Sequence, residues 1–218
     1  MVLQEKSWTE TFSDMGALWI HDNNPARPHA LLTSGKHSNG FFNATKVIEN
    51  PALLEEACVD MWAHHADSLP GQSACDRVIG SAFGAITIAH VIAQMLNVQM
   101  GFTEPVETDD GKQMVLKRFA LSEGDRVLIV EDVMTTGGTN RKTIKTIEAA
   151  GAEVLPVLPV LVNRSGMTEL DGRRIIALID HSMPMWEPEE CPLCKQGSEA
   201  LRPKGNWDKL NAHYQEGS

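Results

Sequence analysis

Two adjacent carboxylates, Glu131 and Asp132, close an apolar run, Val127-Leu128-Ile129-Val130. After Val133 and Met134 comes Thr135-Thr136-Gly137-Gly138-Thr139. The run has the look of a fully buried central strand of a parallel sheet. The small-residue turn lets backbone N–H groups converge on an anion at a helix N-terminus. The two acids would repel that anion, so they suit hydroxyl groups or a metal instead. A site that wants a phosphate and a polyol, with acids between, suggests a phosphorylated sugar. The alternative is a strand and turn whose acids are there by chance.

This stretch resembles the phosphoribosyl-pyrophosphate (PRPP) signature of the type I phosphoribosyltransferases: an apolar strand, two acids, two apolar residues, then Thr-Thr-Gly-Gly-Thr. The resemblance implies PRPP contacts at Glu131, Asp132, Val133, Met134, Thr135, Thr136, Gly137, Gly138 and Thr139. Backbone amides and the threonine hydroxyls would take the 5′-phosphate, and Glu131 and Asp132 the ribose hydroxyls. A second turn, Gly80-Ser81-Ala82-Phe83-Gly84, taken alone reads as a plain helix entry. Beside the signature it becomes the seat for pyrophosphate, through Ser81, Ala82, Phe83 and Gly84. The chemistry fits: displacement at the anomeric carbon passes through an oxocarbenium-like state, which nearby negative charge stabilises. The resemblance brings Mg2+ as cofactor, held mainly by PRPP oxygens, to neutralise the leaving pyrophosphate.

The N-terminal third is similar to orotate phosphoribosyltransferases, through Leu31-Leu32-Thr33-Ser34-Gly35-Lys36-His37-Ser38 and Phe41-Phe42-Asn43. That implies base contacts at Ser34, Gly35, Lys36, Phe41, Phe42 and Thr135. Arg164, after Val162-Asn163, would take the orotate carboxylate, since its planar fork meets a carboxylate bidentately. The alternatives are that Phe41 and Phe42 are core and that Arg164 is a solvated strand end. The expected reaction is orotate plus PRPP giving orotidine 5′-monophosphate and pyrophosphate. The alternatives are transfer to another nucleobase, or a PRPP-binding regulatory protein without catalysis. One departure stands out. Relatives carry a lysine in a pyrophosphate-covering loop where this chain reads Phe102-Thr103-Glu104-Pro105. Lys112 is left as the cation within the loop proper and the candidate catalytic cation beside Glu131 and Asp132.

The elements that must position these residues alternate between strand and helix, which predicts an α/β fold with a central parallel sheet flanked by helices. Helices are expected from Asn50-Pro51 to about His65, from the Ser81–Ala85 turn to Leu96, and over 140–150. Strands are expected at 77–80, 98–103, 154–162 (bent by Pro156 and Pro159) and 174–179. The acidic segment 103–117 has no clear period and is expected to be a mobile loop. The tail after Asp180 reads as an irregular surface appendage. A single domain over 1–218 is expected, with a core of about 46–180 and a hood formed by 1–45 and 181–218.

Nineteen basic and twenty-nine acidic side chains give a net charge of −10 over 218 residues. That excludes general nucleic-acid binding, and no apolar run is long enough for a membrane span. The N-terminus has no signal-peptide pattern, and lone cysteines suit reduced thiols, so a cytoplasmic protein is expected. The family resemblance implies a homodimer with a shared site. Cys191-Pro192-Leu193-Cys194 is spaced as half a zinc site. Closing it would need His181, His213 or a second subunit, against the simpler reading of two reduced thiols.

Overall fold

The computed structural model describes residues 7–109 and 111–212. The chain divides into one unit of residues 47–181 and another of residues 1–46 with 182–218. In the latter, Ser7 opens α1 (Trp8–Asp14) with a capping box that satisfies two otherwise orphaned backbone donors. Four short strands follow: β1 (Leu18–Ile20), β2 (His29–Leu31), β3 (His37–Ser38) and β4 (Gly40–Phe42). β1 pairs antiparallel with β4, and β2 with β3. A single helical turn, α2 (Thr45–Ile48), leads onward.

In the larger unit, the Asn50 side chain caps α3 (Pro51–His64), which buries Leu54, Ala57, Cys58 and Met61. The elements that follow are β5 (Arg77–Ser81), α4 (Ala85–Leu96), β6 (Gln99–Thr108), β7 (Gly111–Val115) and β8 (Arg126–Met134). After them come α5 (Gly138–Ala149), β9 (Glu153–Val154), β10 (Val157–Asn163), β11 (Glu169–Leu170) and β12 (Arg173–Asp180). The sheet order is β11-β12-β10-β8-β5-β6-β7, with β9 beside β8. The inner strands run parallel, while β7 and β11 are antiparallel edges. Val127, Leu128, Ile129 and Val130 are wholly buried, as a strand covered on both faces requires. The chain steps one way from β5 to β6 and the other way from β8 to β10. The winding therefore reverses between β5 and β8, the place where open α/β sheets bind ligands.

Three expectations are corrected. Residues 104–115 form an antiparallel hairpin rather than a loop, with Glu104 opposite Val115 and Glu107 opposite Lys112. Gly111 adopts φ +90°, which a tight turn needs, and Pro105 is tolerated because β5 ends opposite Thr103 and leaves that flank of β6 unpaired. The strand expected over 154–162 is broken in two. Between the Val127↔Val154 and Glu131↔Val160 pairings β8 advances four residues and its partner six, so the two extra residues around Pro156 loop out. The tail is not an irregular appendage. It supplies β13 (Met185–Trp186), α6 (Pro192–Lys195), β14 (Ala200–Leu201) and α7 (Trp207–Asn211). The outer strands complete a sheet of order β13-β3-β2-β14.

Candidate active site

β5 and β8 are hydrogen-bonded parallel neighbours, with Gly80 opposite Val130, so the turns that leave them emerge side by side at one sheet edge. Both turns enter helices without a side-chain cap, at Gly84 before α4 and at Gly137 before α5. First-turn N–H groups of each helix thus remain as donors for an anion. Gly137 sits at φ +72°, and a Cβ there would meet Leu170 Cδ1 at 2.6 Å. Arg141 fixes this turn from α5: its Nη1 donates to the Thr136 carbonyl at 2.9 Å and its Nε to Asp171 at 3.1 Å. Thr135 and Thr136 are half-buried, and Gly138 and Thr139 are exposed.

The acid pair is held asymmetrically. Glu131 is buried and accepts from Asn140 Nδ2 at 3.0 Å and from the Asp132 N–H at 3.1 Å. Burial pushes its carboxyl well above the usual range, and the neighbouring Asp132 charge adds to the shift. Asp132 is half-buried, with Oδ1 accepting from the Val133 N–H at 2.8 Å. Its other oxygen lies so close to Gly84 that a Cβ there would stand 1.9 Å away. Asp132 is therefore the acid that touches the neighbouring turn, whose Phe83 is 76% exposed.

Ser81 departs from expectation. Its hydroxyl lies 3.2 Å from Thr143 Oγ1, which is 2.9 Å from Thr103 Oγ1, and all three residues are buried. Arg164 follows β10 directly, its N–H donating to the Met134 carbonyl at 3.0 Å, so it stands at the same edge as the Thr135–Thr139 turn. It is 1% exposed, which overturns the solvated-strand-end alternative. Burial lowers its pKa to about 10. Asn163 shapes the turn that follows, accepting from Ser165 N–H and Oγ and donating to the Met167 carbonyl.

These findings together meet the demands of a sugar phosphate bearing a second anion: two uncapped helix entries astride a switch point, with an acid pair between. The phosphoribosyl transferase domain family matches residues 49–172, more than half of the chain. An orotate phosphoribosyltransferase of Caldicellulosiruptor bescii is 34% identical over 201 residues, covering 92% of this chain and 97% of its own length. The chain belongs to the phosphoribosyltransferase family. An orotate phosphoribosyltransferase of Desulforamulus reducens is 38% identical over 175 residues, covering 80% of this chain and 87% of its own. The crystal structure of orotate phosphoribosyltransferase from Aeropyrum pernix shares the fold, with TM-score 0.61 at 24% identity, covering 78% of this chain and 91% of that one. The type I phosphoribosyltransferase fold expected from the sequence is the one observed.

The other expected site residues differ in their surroundings. Lys112 is exposed on β7 opposite Glu107, and Glu104 is paired with Arg118 at 2.8 Å. Ser34, Gly35, Lys36, Phe41 and Phe42 belong to the smaller unit. Ser34 is exposed in the β2–β3 turn, Gly35 has φ +90°, and Lys36 pairs with Glu187 at 2.8 Å. Phe42 is 2% exposed and packs edge-on against Phe12, which makes it core rather than a base contact. Phe41 is half-buried against Trp207. Reasoning from sequence missed Asn140 and Arg141. Both lie within three residues of the signature turn, and a polar pair in the first turn of a helix behind two acids is a signal that could have found them.

Proposed function

We propose that this chain transfers the phosphoribosyl group of PRPP to orotate, giving orotidine 5′-monophosphate and pyrophosphate in pyrimidine nucleotide synthesis. The carrying observation is the contact of Asp132 with Gly84, which joins the acid pair to the second anion-ready turn. The α5 entry, with Thr135, Thr136, Gly137, Gly138 and Thr139, takes the 5′-phosphate. The Ala82–Gly84 turn takes pyrophosphate through the Phe83 and Gly84 N–H groups, the Ala82 N–H being donated to the Thr103 carbonyl, and Asp132 with Glu131 takes the ribose hydroxyls. As the glycosidic bond loosens, positive charge grows on the ribose ring and Asp132 stabilises it at close range. Asn140 keeps the Glu131 carboxyl turned inward, where burial and the Asp132 charge disfavour its ionised form.

Mg2+ fits this donor set, because carboxylate and phosphate oxygens are hard ligands. Asp132 is the protein group that would hold it or its waters, and when bound it neutralises the leaving pyrophosphate. Arg164 supports orotate over a base without a carboxylate, since a buried guanidinium favours an anionic partner. Lys112 is the hairpin cation for pyrophosphate, and Ser34, Gly35, Lys36 and Phe41 are the base-side candidates. The reading carries with it a cytoplasmic homodimer, supported by the unbridged thiols Cys58 and Cys75 and by the prevalence of two-fold assemblies.

The test offers purified protein PRPP and Mg2+ with orotate, uracil, adenine, guanine or hypoxanthine in turn. Pyrophosphate release with orotate alone is expected. Release with another base instead moves the assignment within the family, and release with none leaves a PRPP-binding protein.

A further inference from the structure

We propose that His29, His37, Cys191 and Cys194 form a closed, structural zinc site. Their ligand atoms all lie within 4.8 Å of one another. His29 Nε2 is 3.0 Å from His37 Nδ1 and 3.5 Å from each sulfur, and Cys194 Sγ is 3.2 Å from His37 Nδ1. A tetrahedral zinc with two nitrogens at about 2.0 Å and two sulfurs at about 2.3 Å has edges of roughly 3.3 to 3.8 Å. Four of the six edges here stand at 3.0 to 3.5 Å, so a modest expansion seats the ion.

The protonation state of His29 can be deduced. Ser198 Oγ donates its single hydrogen to the Arg27 carbonyl at 2.6 Å. Toward His29 Nδ1, 2.8 Å away, it can therefore only accept, which places the ring proton on Nδ1. Nε2 is left with a bare lone pair aimed into the cluster. This is the outer hydrogen bond by which metal-binding histidines are oriented. His29 and His37 share a face of the β2–β3 pair, because Leu31 lies opposite His37 and His29 is two residues from Leu31. Cys191 and Cys194 arrive at the start of α6, from more than 150 residues away. Two thiolates and two imidazoles in tetrahedral reach select zinc over harder cations, and four protein ligands leave no open position for catalysis.

The chelate would clamp the base of the turn that carries Ser34, Gly35 and Lys36. That consequence rests on the orotate reading; the metal site itself does not. His181, considered from sequence, is not among the four, and His213 lies outside the described residues.

Metal analysis of the full chain, purified reduced and without chelator, should find one zinc per chain. Cobalt(II) exchange should give ligand-field bands of tetrahedral intensity and a thiolate charge-transfer band. The Cys191→Ser/Cys194→Ser double variant should lose the zinc. Should that variant fail to fold, the cobalt spectrum of the unaltered chain decides alone. A metal-free protein that takes up neither zinc nor cobalt, a Cys191–Cys194 disulfide in the anaerobically isolated chain, or a coloured iron–sulfur protein each overturns the assignment. Zinc bound by a chain that transfers nothing to orotate would remove the proposed function and leave this site standing. Orotate transfer in the presence of Mg2+ by a chain that binds neither zinc nor cobalt would do the reverse.

Discussion

Gly84→Ala tests the link between the acid pair and the neighbouring turn. The backbone at Gly84 is helical, at φ −60° and ψ −38°, so alanine costs no dihedral strain. The new Cβ would nevertheless stand 1.9 Å from Asp132 Oδ2 and 2.4 Å from Cγ. The carboxylate must then retreat by about 1.5 Å to reach ordinary van der Waals contact. Rotating it away forfeits the Val133 N–H bond, worth about 1 kcal/mol. A misplacement of about 1 Å at a reacting group costs on the order of 100-fold, or about 2.7 kcal/mol in the barrier. Pyrophosphate release should therefore show kcat/KM for PRPP lower by about two orders of magnitude, with a melting temperature close to that of the unaltered chain. In a double-mutant cycle with Asp132→Ala the two losses should fall well short of additive. A kcat/KM within about threefold of the unaltered chain would refute the placement of Asp132 at the reacting sugar.

Glu131 holds its proton more tightly in the folded than in the unfolded chain. The stability this provides is complete below its ordinary value of 4.5 and is lost as pH rises through the higher folded-state value. Glu131→Gln should therefore melt above the unaltered chain at about pH 8, and the gap should close on acidification. Arg164→Ala should cut kcat/KM for orotate by about 2–5 kcal/mol, while calorimetry finds a much smaller change in PRPP affinity; equal losses in both would count against a carboxylate role. Gly137→Ala, at φ +72° and against Leu170, should lower stability by about 1–2 kcal/mol in denaturant titration, together with phosphate affinity.

The centre of this fold was legible because its signals are local. Four apolar residues before two acids make β8 unmistakable, and Asn50-Pro51 writes the start of α3 in two letters. The hairpin was not legible, because Met114 alone of its described residues is buried and Glu104, Glu107, Asp109 and Lys112 interrupt any apolar period. The tail was misread for a different reason. β13 and β14 are two residues each, too short to show a period, and they owe their existence to partners 147 to 171 residues away. The same distance hid His29 and His37 from any reasoning that began at Cys191 and looked for neighbours in sequence. Ser81 was placed in the site by its turn beside the signature and Phe42 by the family resemblance; the Ser81 hydroxyl lies beside Thr143 and the Phe42 ring packs on Phe12, contacts too distant in sequence to be read there.

The buried hydroxyls of Ser81, Thr103 and Thr143 bear on how the hairpin could move. They rivet the root of β6 to α5, and Thr146 Oγ1 rivets β7 to the same helix by donating to the Met114 carbonyl. Any flap that swings Lys112 over bound substrate must pivot outside these two anchor points. Its hinge is thereby mounted on the helix whose N-terminus would feel the phosphate arrive.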